Sequence, residues 1–271
     1  MKITAILENT TANPDLTPKH GLSVYIETAE HKILFDLGPD DTSLRNAEKL
    51  DIDLAEVDTV ILSHGHYDHG GALPGFLEIN DKAKLYFHRQ AFEPHYHTRF
   101  FKKTYVGLDR DYSANPRVVF TGDTMKIDDE LFLFSDVEGQ FDTKSNRVLL
   151  KKTPSGYTRD DFTHEQNLIV TSGDKTVLFS GCSHRGIANI MRAAHKRRPR
   201  IQAVFGGFHL YNPATNAPEP PGVIRELAEE LSSGEAVFYT CHCTGKEAYE
   251  AMRGIMGDRI RYFSTGSTVE L

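Results

Sequence analysis

A layered α/β fold is the class this 271-residue chain predicts, and three observations carry it. Its first third reads strand, strand, helix, strand. Its second half alternates strands with amphipathic helices. Hydrophobic residues at 39% and charged residues at 25% fit a globular chain with a packed core. Layered folds of roughly 200 to 250 residues commonly form one domain, so a single domain over 1–271 with an inserted segment at 88–165 is expected.

The elements follow in order. "GLSVYIETAEHKILFDLG" holds two β-rich runs around a polar "AEHK" turn, a hairpin signal. Leu44, Ala47 and Leu50 recur at helical spacing, and "VDTVILS" returns to strand. Residues 88–165 are less regular, aromatic and charged, with one hairpin signal around "KIDDELFLFSDVE". Long connections without purpose are uncommon in compact domains, so this segment is expected to lid or wall a site. "KTVLFSG" is then a strand, and Ile187, Ile190, Met191 and Ala194 form one helical stripe. "IQAVFGG" is a strand, "VIRELAEELSS" a helix with Ile224, Leu227, Ala228 and Leu231 on one side, and "EAVFYTC" a strand. Thr244 and Glu247 have capping-box spacing ahead of a helix carrying Ala248, Met252 and Ile255.

Charge narrows the partners. Lys and Arg total 31 against 38 Asp and Glu, a formal charge of −7, which argues against nucleic acid. The one dense basic run, "HKRRPR" at 195–200, closes a helical pattern, where cations favour the C-terminal end. The opening "MKITAILENTTANP" has too short an apolar stretch for a signal core or a membrane span, so a cytoplasmic protein without a membrane partner is expected. Cys182, Cys241 and Cys243 cannot all pair with one another, and an intracellular chain keeps them reduced.

Chemistry concentrates in "SHGHYDHGG", directly after a strand. If the chain stays extended there, positions 64, 66 and 68 point to one side and 69 to the other. Imidazoles and a carboxylate so close together suit a divalent metal, with zinc favoured and iron, manganese and nickel open. A solvated polar turn is the bland alternative, and four ligand-type groups in six positions argue against it. His209, after "AVFGGF", reads as a general acid or substrate contact, or as a satisfied core histidine. "HYH" at 95–97 is expected in a solvated or substrate-facing loop.

The H-x-H-x-D-H pattern after a strand, preceded by the "LFDLG" hairpin, resembles the metallo-β-lactamase superfamily. The resemblance runs from the N-terminal hairpin to "FYTCHCTG" and leaves 88–165 unmatched. It implies a four-layer αββα sandwich with one or two metals at the sheet edges, His64 and His66 serving one ion and Asp68 and His69 the other. In "FYTCHCTG" it implies that His242 closes the Asp68/His69 position, with Cys241 and Cys243 facing away and packing. Where the family usually ends a strand in Gly-Asp, this chain has Cys182, with His184 two residues on. His184 is favoured as the third imidazole beside His64 and His66, because it adds no charge; a Cys182 thiolate and His164 stay open as ligands.

"SHGHYDHGGAL", "GCSHRGI", "GGFHL" and "CHCTG" together are similar to the branch that holds dihydropterin ribofuranosyl-aminobenzene phosphate synthase-like proteins and metal-dependent hydrolases. The activity implied is a binuclear metallohydrolase with a metal-activated water, acting on an ester or phosphoester of a small, anionic molecule. Asp68 would orient the nucleophile and His209 protonate the leaving group. Phe100, Phe101, Tyr105 and Tyr112 are expected as aromatic walls, with Arg99, Lys102 and Lys103 meeting an anion; the same cluster also reads as a homodimer contact. A pterin-related transferase using the same metals is the alternative, followed by a di-iron redox protein with an electron-delivering partner.

Overall fold

Strand alternation builds the front of the molecule. The computed structural model describes residues 1–100, 102–212 and 215–271. β1 (Lys2–Leu7), β2 (Ser23–Glu27) and β3 (Lys32–Phe35) pair antiparallel, and α1 (Thr42–Lys49) carries the chain to β4 (Thr59–Leu62), which lies parallel to β3. After β4 come α2 (Tyr67–Gly70), α3 (Leu73–Ile79) and β5 (Lys84–His88).

The stretch expected as an insertion divides between three sheets. β6 (His95–Arg99) and β7 (Lys102–Tyr105) form a hairpin, β8 (Val118–Thr121) lies beside β5, and β9 (Thr124–Lys126) and β10 (Leu131–Phe134) form the second hairpin, where the sequence signals one. β11 (Leu149–Thr153) and β12 (Gly156–Arg159) add two strands to the β6–β7 hairpin. "HYH" is therefore in a strand, and His95 is buried, a correction to the expected loop.

The remainder alternates as expected: β13 (Asn167–Ser172), β14 (Lys175–Phe179), α4 (Ile187–Arg197), β15 (Ala203–Gly206), the two-residue strands β16 (Tyr211–Asn212) and β17 (Ala217–Pro218), α5 (Pro221–Leu231), β18 (Val237–Thr240), α6 (Lys246–Met256), β19 (Ile260–Tyr262) and β20 (Thr268–Glu270). One seven-stranded sheet runs β20-β1-β2-β3-β4-β5-β8 and the other β19-β18-β15-β14-β13-β10-β9.

Three apolar clusters make four layers of these sheets. Ile33, Phe35 and Ile61 meet Phe179, Phe205 and Tyr239 between the sheets. Alternate residues point outward: Leu34, Val60 and Leu62 pack with Ala47 and Phe76 of α1 and α3, while Leu178, Val204 and Phe238 pack with α4, α5 and α6. The result is the four-layer αββα sandwich that the sequence predicts. At its centre the rings of Phe205 and Tyr239 stack 4.4 Å apart, and burying each such ring contributes roughly 1.5–3 kcal/mol.

Two helical details depart from expectation. Thr244 does not cap α6: its hydroxyl is turned inward, 2.6 Å from Thr240 Oγ1 and accepting the Phe208 N–H at 2.8 Å, so Gly245 caps instead. Ile255 is 42% exposed because α6 buries only the face of Ala248, Tyr249, Met252 and Met256. No described helix is long and apolar enough to cross a membrane.

Candidate metal centre

β4 stops at Leu62, and the backbone between His64 and His66 runs against the loop after β5. A Cβ on Gly65 would lie 2.1 Å from the carbonyl oxygen of Ala91, and one on Gly181 would lie 2.1 Å from Ser63 Oγ. Only glycine permits that approach. The extension expected through residue 69 does not occur: the chain turns into α2 after His66, with the His69 N–H donating to the His66 carbonyl at 3.1 Å. This helical turn, in place of strand alternation, is what brings His69 to the same side as Asp68.

Four of the imidazoles are each oriented by a partner on the outer nitrogen. Ser63 Oγ donates to Asp36 Oδ2 at 2.7 Å and so accepts from His64 Nδ1 at 2.8 Å. Asp36 Oδ2 also accepts from His69 Nδ1 at 2.6 Å. Asn146 gives its amide hydrogens to the carbonyls of Phe141 and His184, leaving Oδ1 to accept from His184 Nδ1 at 3.0 Å. Asn9 Oδ1 accepts from His242 Nδ1 at 2.8 Å. With Nδ1 tied in all four rings, Nε2 is the nitrogen each turns inward, the one an imidazole offers to a cation once any proton there is displaced.

Those atoms converge. Nε2 of His64 lies 3.3 Å from Nε2 of His184; Nε2 of His69 lies 3.2 Å from Cys182 Sγ and 3.8 Å from Asp68 Oδ2; and Nε2 of His242 lies 3.4 Å from the same Asp68 oxygen. His66 joins His64 and His184 in a group whose ligand atoms all lie within 4.8 Å of one another. The buried Nε2 of His242 makes no well-aligned hydrogen bond among the described residues, and imidazole, carboxylate and thiol donors at such separations suit a divalent metal ion.

Burial and neighbouring imidazoles hold His64, His66 and His184 well below the ordinary histidine range, hence neutral. Burial opposes the charge of Asp68, but His69, His20 and His242 overcome it and hold the carboxyl well below its usual range. Burial also lowers His69, yet the charges of Asp36 and Asp68 prevail and raise it to about 9.

These groups floor a cavity of about 540 Å³ that takes in His66, Asp68, Cys182, His184, His209 and His242. His209 has both ring nitrogens buried and unpartnered, 4.2 Å between ring centroids from His184. Asp36, Ser183, His209 and His242 all adopt left-handed φ, between 48° and 58°, a cost that clusters where side chains must be aimed.

Several expectations change. Cys241 does pack between the sheets, but Cys243 lines the cavity and its Sγ accepts the His209 N–H at 3.3 Å. The left-handed turn at His242 ends the strand alternation that would have turned Cys243 away. His164 lies behind His66, its Nδ1 accepting the Gly65 N–H at 2.9 Å. Of the expected walls, Phe100, Arg99 and Lys102 line the cavity, whereas the Tyr105 hydroxyl donates to the Leu108 carbonyl, Tyr112 packs on the α1/α3 side, and Lys103 sits over the Tyr157 ring. Phe101 lies outside the described residues.

Asn9, Asp36 and Asn146 were not singled out from the sequence, nor was Glu165, which accepts the His184 and Arg185 N–H groups at 2.6 and 2.9 Å and is pushed by burial up to about 7. His20, 3.2 Å from Asp68 Oδ2, is a further cavity residue. The one available signal was Asp36 in "LFDLG", a carboxylate at the end of an apolar strand.

Comparison with known proteins agrees with this geometry. The family model for the metallo-beta-lactamase superfamily matches residues 16–231. An uncharacterized protein of Methanocaldococcus jannaschii is 28% identical over 249 residues, 90% of this chain and 91% of that one. A 7,8-dihydropterin-6-methyl-4-(beta-D-ribofuranosyl)-aminobenzene-5'-phosphate synthase of the same organism is 27% identical over 256 residues, 87% of this chain and 84% of its own. The crystal structure of Tm1679, described as a metal-dependent hydrolase of the beta-lactamase superfamily, superposes with a TM-score of 0.81 at 27% identity, covering 100% of this chain and 99% of the other.

Proposed function

The chain belongs to the metallo-β-lactamase superfamily, and from that premise we propose that it is a metal-dependent hydrolase of a small anionic ester or phosphoester. His64, His66 and His184 hold one divalent cation, and Asp68, His69 and His242 a second, with Cys182 beside both groups. Zinc suits the mixed nitrogen, oxygen and sulfur donors best. Bound there, such ions supply Lewis acidity and lower the pKa of water toward neutrality.

The observation that carries this reading is the set of four outer-nitrogen hydrogen bonds, which leave four inner Nε2 atoms as the ones a cation would meet, His69 giving up a proton as it binds. The protein's own groups do the rest. Asp68 accepts a hydrogen bond from the attacking water and aims it. His209, unpartnered at the cavity wall, delivers a proton to the leaving oxygen. Arg99 and Lys102 at the mouth meet the anionic end of the substrate.

Metal analysis of protein purified without chelator, paired with a panel of phosphodiester, phosphonate, lactone, thioester and β-lactam substrates, tests the proposal. Two equivalents of metal and turnover that disappears on chelation and returns with zinc are expected; metal-free protein with undiminished turnover refutes it.

A second reading is a pterin-related transferase, favoured by the synthase relative that spans 87% of this chain. Pyrophosphate released from a dihydropterin pyrophosphate only when the aminobenzene acceptor is present would select it over hydrolysis.

A further inference from the structure

His66 belongs to two groups of potential ligand atoms. One is shared with His64 and His184; the other, behind it, is shared with His95, Asp160 and His164, again with all four atoms within 4.8 Å of one another. All four residues of this second group are buried, and the proposed reaction uses only His66. We propose that His95, Asp160 and His164 form a buried positioning relay that fixes which nitrogen of His66 is free for a cation and ties that choice to the four-stranded lid sheet. The inference rests on His66 being a metal ligand.

The proton positions follow from fixed donors and acceptors. The Gly65 N–H donates to His164 Nδ1 at 2.9 Å, so the proton of neutral His164 sits on Nε2, 3.4 Å from Asp160 Oδ2. Asp160 Oδ2 also accepts from His95 Nδ1 at 2.7 Å, and Oδ1 accepts the Phe162 N–H at 2.8 Å. In the neutral ring this leaves His95 Nε2 as the lone pair, and that atom is buried with no hydrogen-bond partner among the described residues. The neighbouring Nε2 of His66 is also buried and unpartnered, and the two rings stand 5.5 Å apart at 80°.

The complement is a proton on His66 Nε2 aimed at His95, which leaves Nδ1 of His66 for the cation. His66 then works in the opposite sense from His64, His69, His184 and His242, whose Nδ1 atoms are the tied ones. Because His95 opens β6 and Asp160 follows β12, the relay joins the lid to the centre, as does the Tyr67 N–H bonded to the Val106 carbonyl at 2.9 Å.

A cation inside this second group is the competing assignment. Both oxygens of Asp160 already accept hydrogen bonds, and His164 carries its proton on the nitrogen that would have to bind. With His164 out, His66, His95 and one Asp160 oxygen remain, fewer than the four protein donors of a closed site.

Cobalt(II) titration separates the outcomes, read by visible absorption and by competition with a chromophoric chelator. A His242→Ala background weakens the second position, so that the first can be read alone. There, His95→Leu and Asp160→Asn are expected to weaken cobalt binding about 10–100-fold and to alter the ligand-field bands. His95→Gln, whose amide oxygen can still accept from His66, is expected to recover most of the affinity.

His95→Leu with unchanged affinity and spectrum overturns the relay, as does His95→Gln behaving like His95→Leu. Three equivalents in the wild type falling to two in His95→Leu overturns it in favour of an ion in the second group. Wild-type protein that binds no cobalt overturns the metal reading and the relay with it, a result distinct from the loss of the relay alone. Should His95→Leu fail to fold, the near-isosteric Asp160→Asn against His95→Gln decides the matter.

Discussion

The two flanks of the centre differ in charge more than in shape. His64, His66 and His184 are buried imidazoles held neutral by burial and by one another. Across from them stand Asp68, held ionised, and His69, raised to about 9 by Asp36 and Asp68, with Cys182 beside it. A cation among three neutral ligands keeps its full charge for a substrate oxygen, whereas one facing a carboxylate is partly neutralised. On the proposed reading, one flank would polarise the substrate and the other would hold and aim the nucleophile.

Breaking the neutral flank has the largest expected effect. His64→Ala with His66→Ala should reduce turnover to background and remove about one equivalent of metal, checked by elemental analysis beside the substrate panel. Asp36→Asn should come next, because Asp36 serves both flanks through Ser63 and His69. Metal affinity should fall about 10–100-fold at each position, and unfolding should cost about 3–5 kcal/mol less, since a buried partner is lost; competition titration and denaturant melts read the two effects.

His209→Gln sharpens the contrast, because it should lower kcat about 10²–10⁴-fold with metal content unchanged. Removing Arg99 and Lys102 together is milder: KM for anionic substrates should rise about tenfold with kcat nearly constant, and the difference should shrink at high salt.

The smallest effect lies far from the centre, at His31 between Asp58 (3.1 Å) and Asp128 (2.8 Å). Burial lowers its pKa, but the two carboxylates outweigh burial and raise it above the ordinary 6.5. The folded state therefore binds the extra proton. The stability this adds is complete below pH 6.5 and is lost as pH rises through the higher folded value. Asp128→Asn should flatten that dependence, by no more than about 2–3 °C in Tm, in melts from pH 6 to 9.

The fold was legible because its elements are marked by local periodicity: the hairpin at 22–37, the stripe of Ile187, Ile190 and Met191, and the strand at 237–240 all occur where expected. The histidines at 64, 66, 69, 184 and 242 were legible as residue types at strand ends, and the structure brings them together. Their supports were not. Asn9, Asn146 and Asp160 act over separations of 233, 38 and 65 residues from His242, His184 and His95, and no local pattern encodes such pairings. The turns that redirect His69 and Cys243 were also missed, since they depend on tertiary contacts that override strand alternation.

The cavity mouth is tied to the rest of the chain far more loosely than its floor. Phe100 is 85% exposed at the β6–β7 turn, and Arg99 leans over its ring at 5.3 Å. Side chains on such a hairpin tip can be exchanged without disturbing the packed interior, while His184 and His242 on the floor are held by Asn146 and Asn9. Substitutions at the tip should therefore change which molecules enter the cavity while leaving the groups beneath in place.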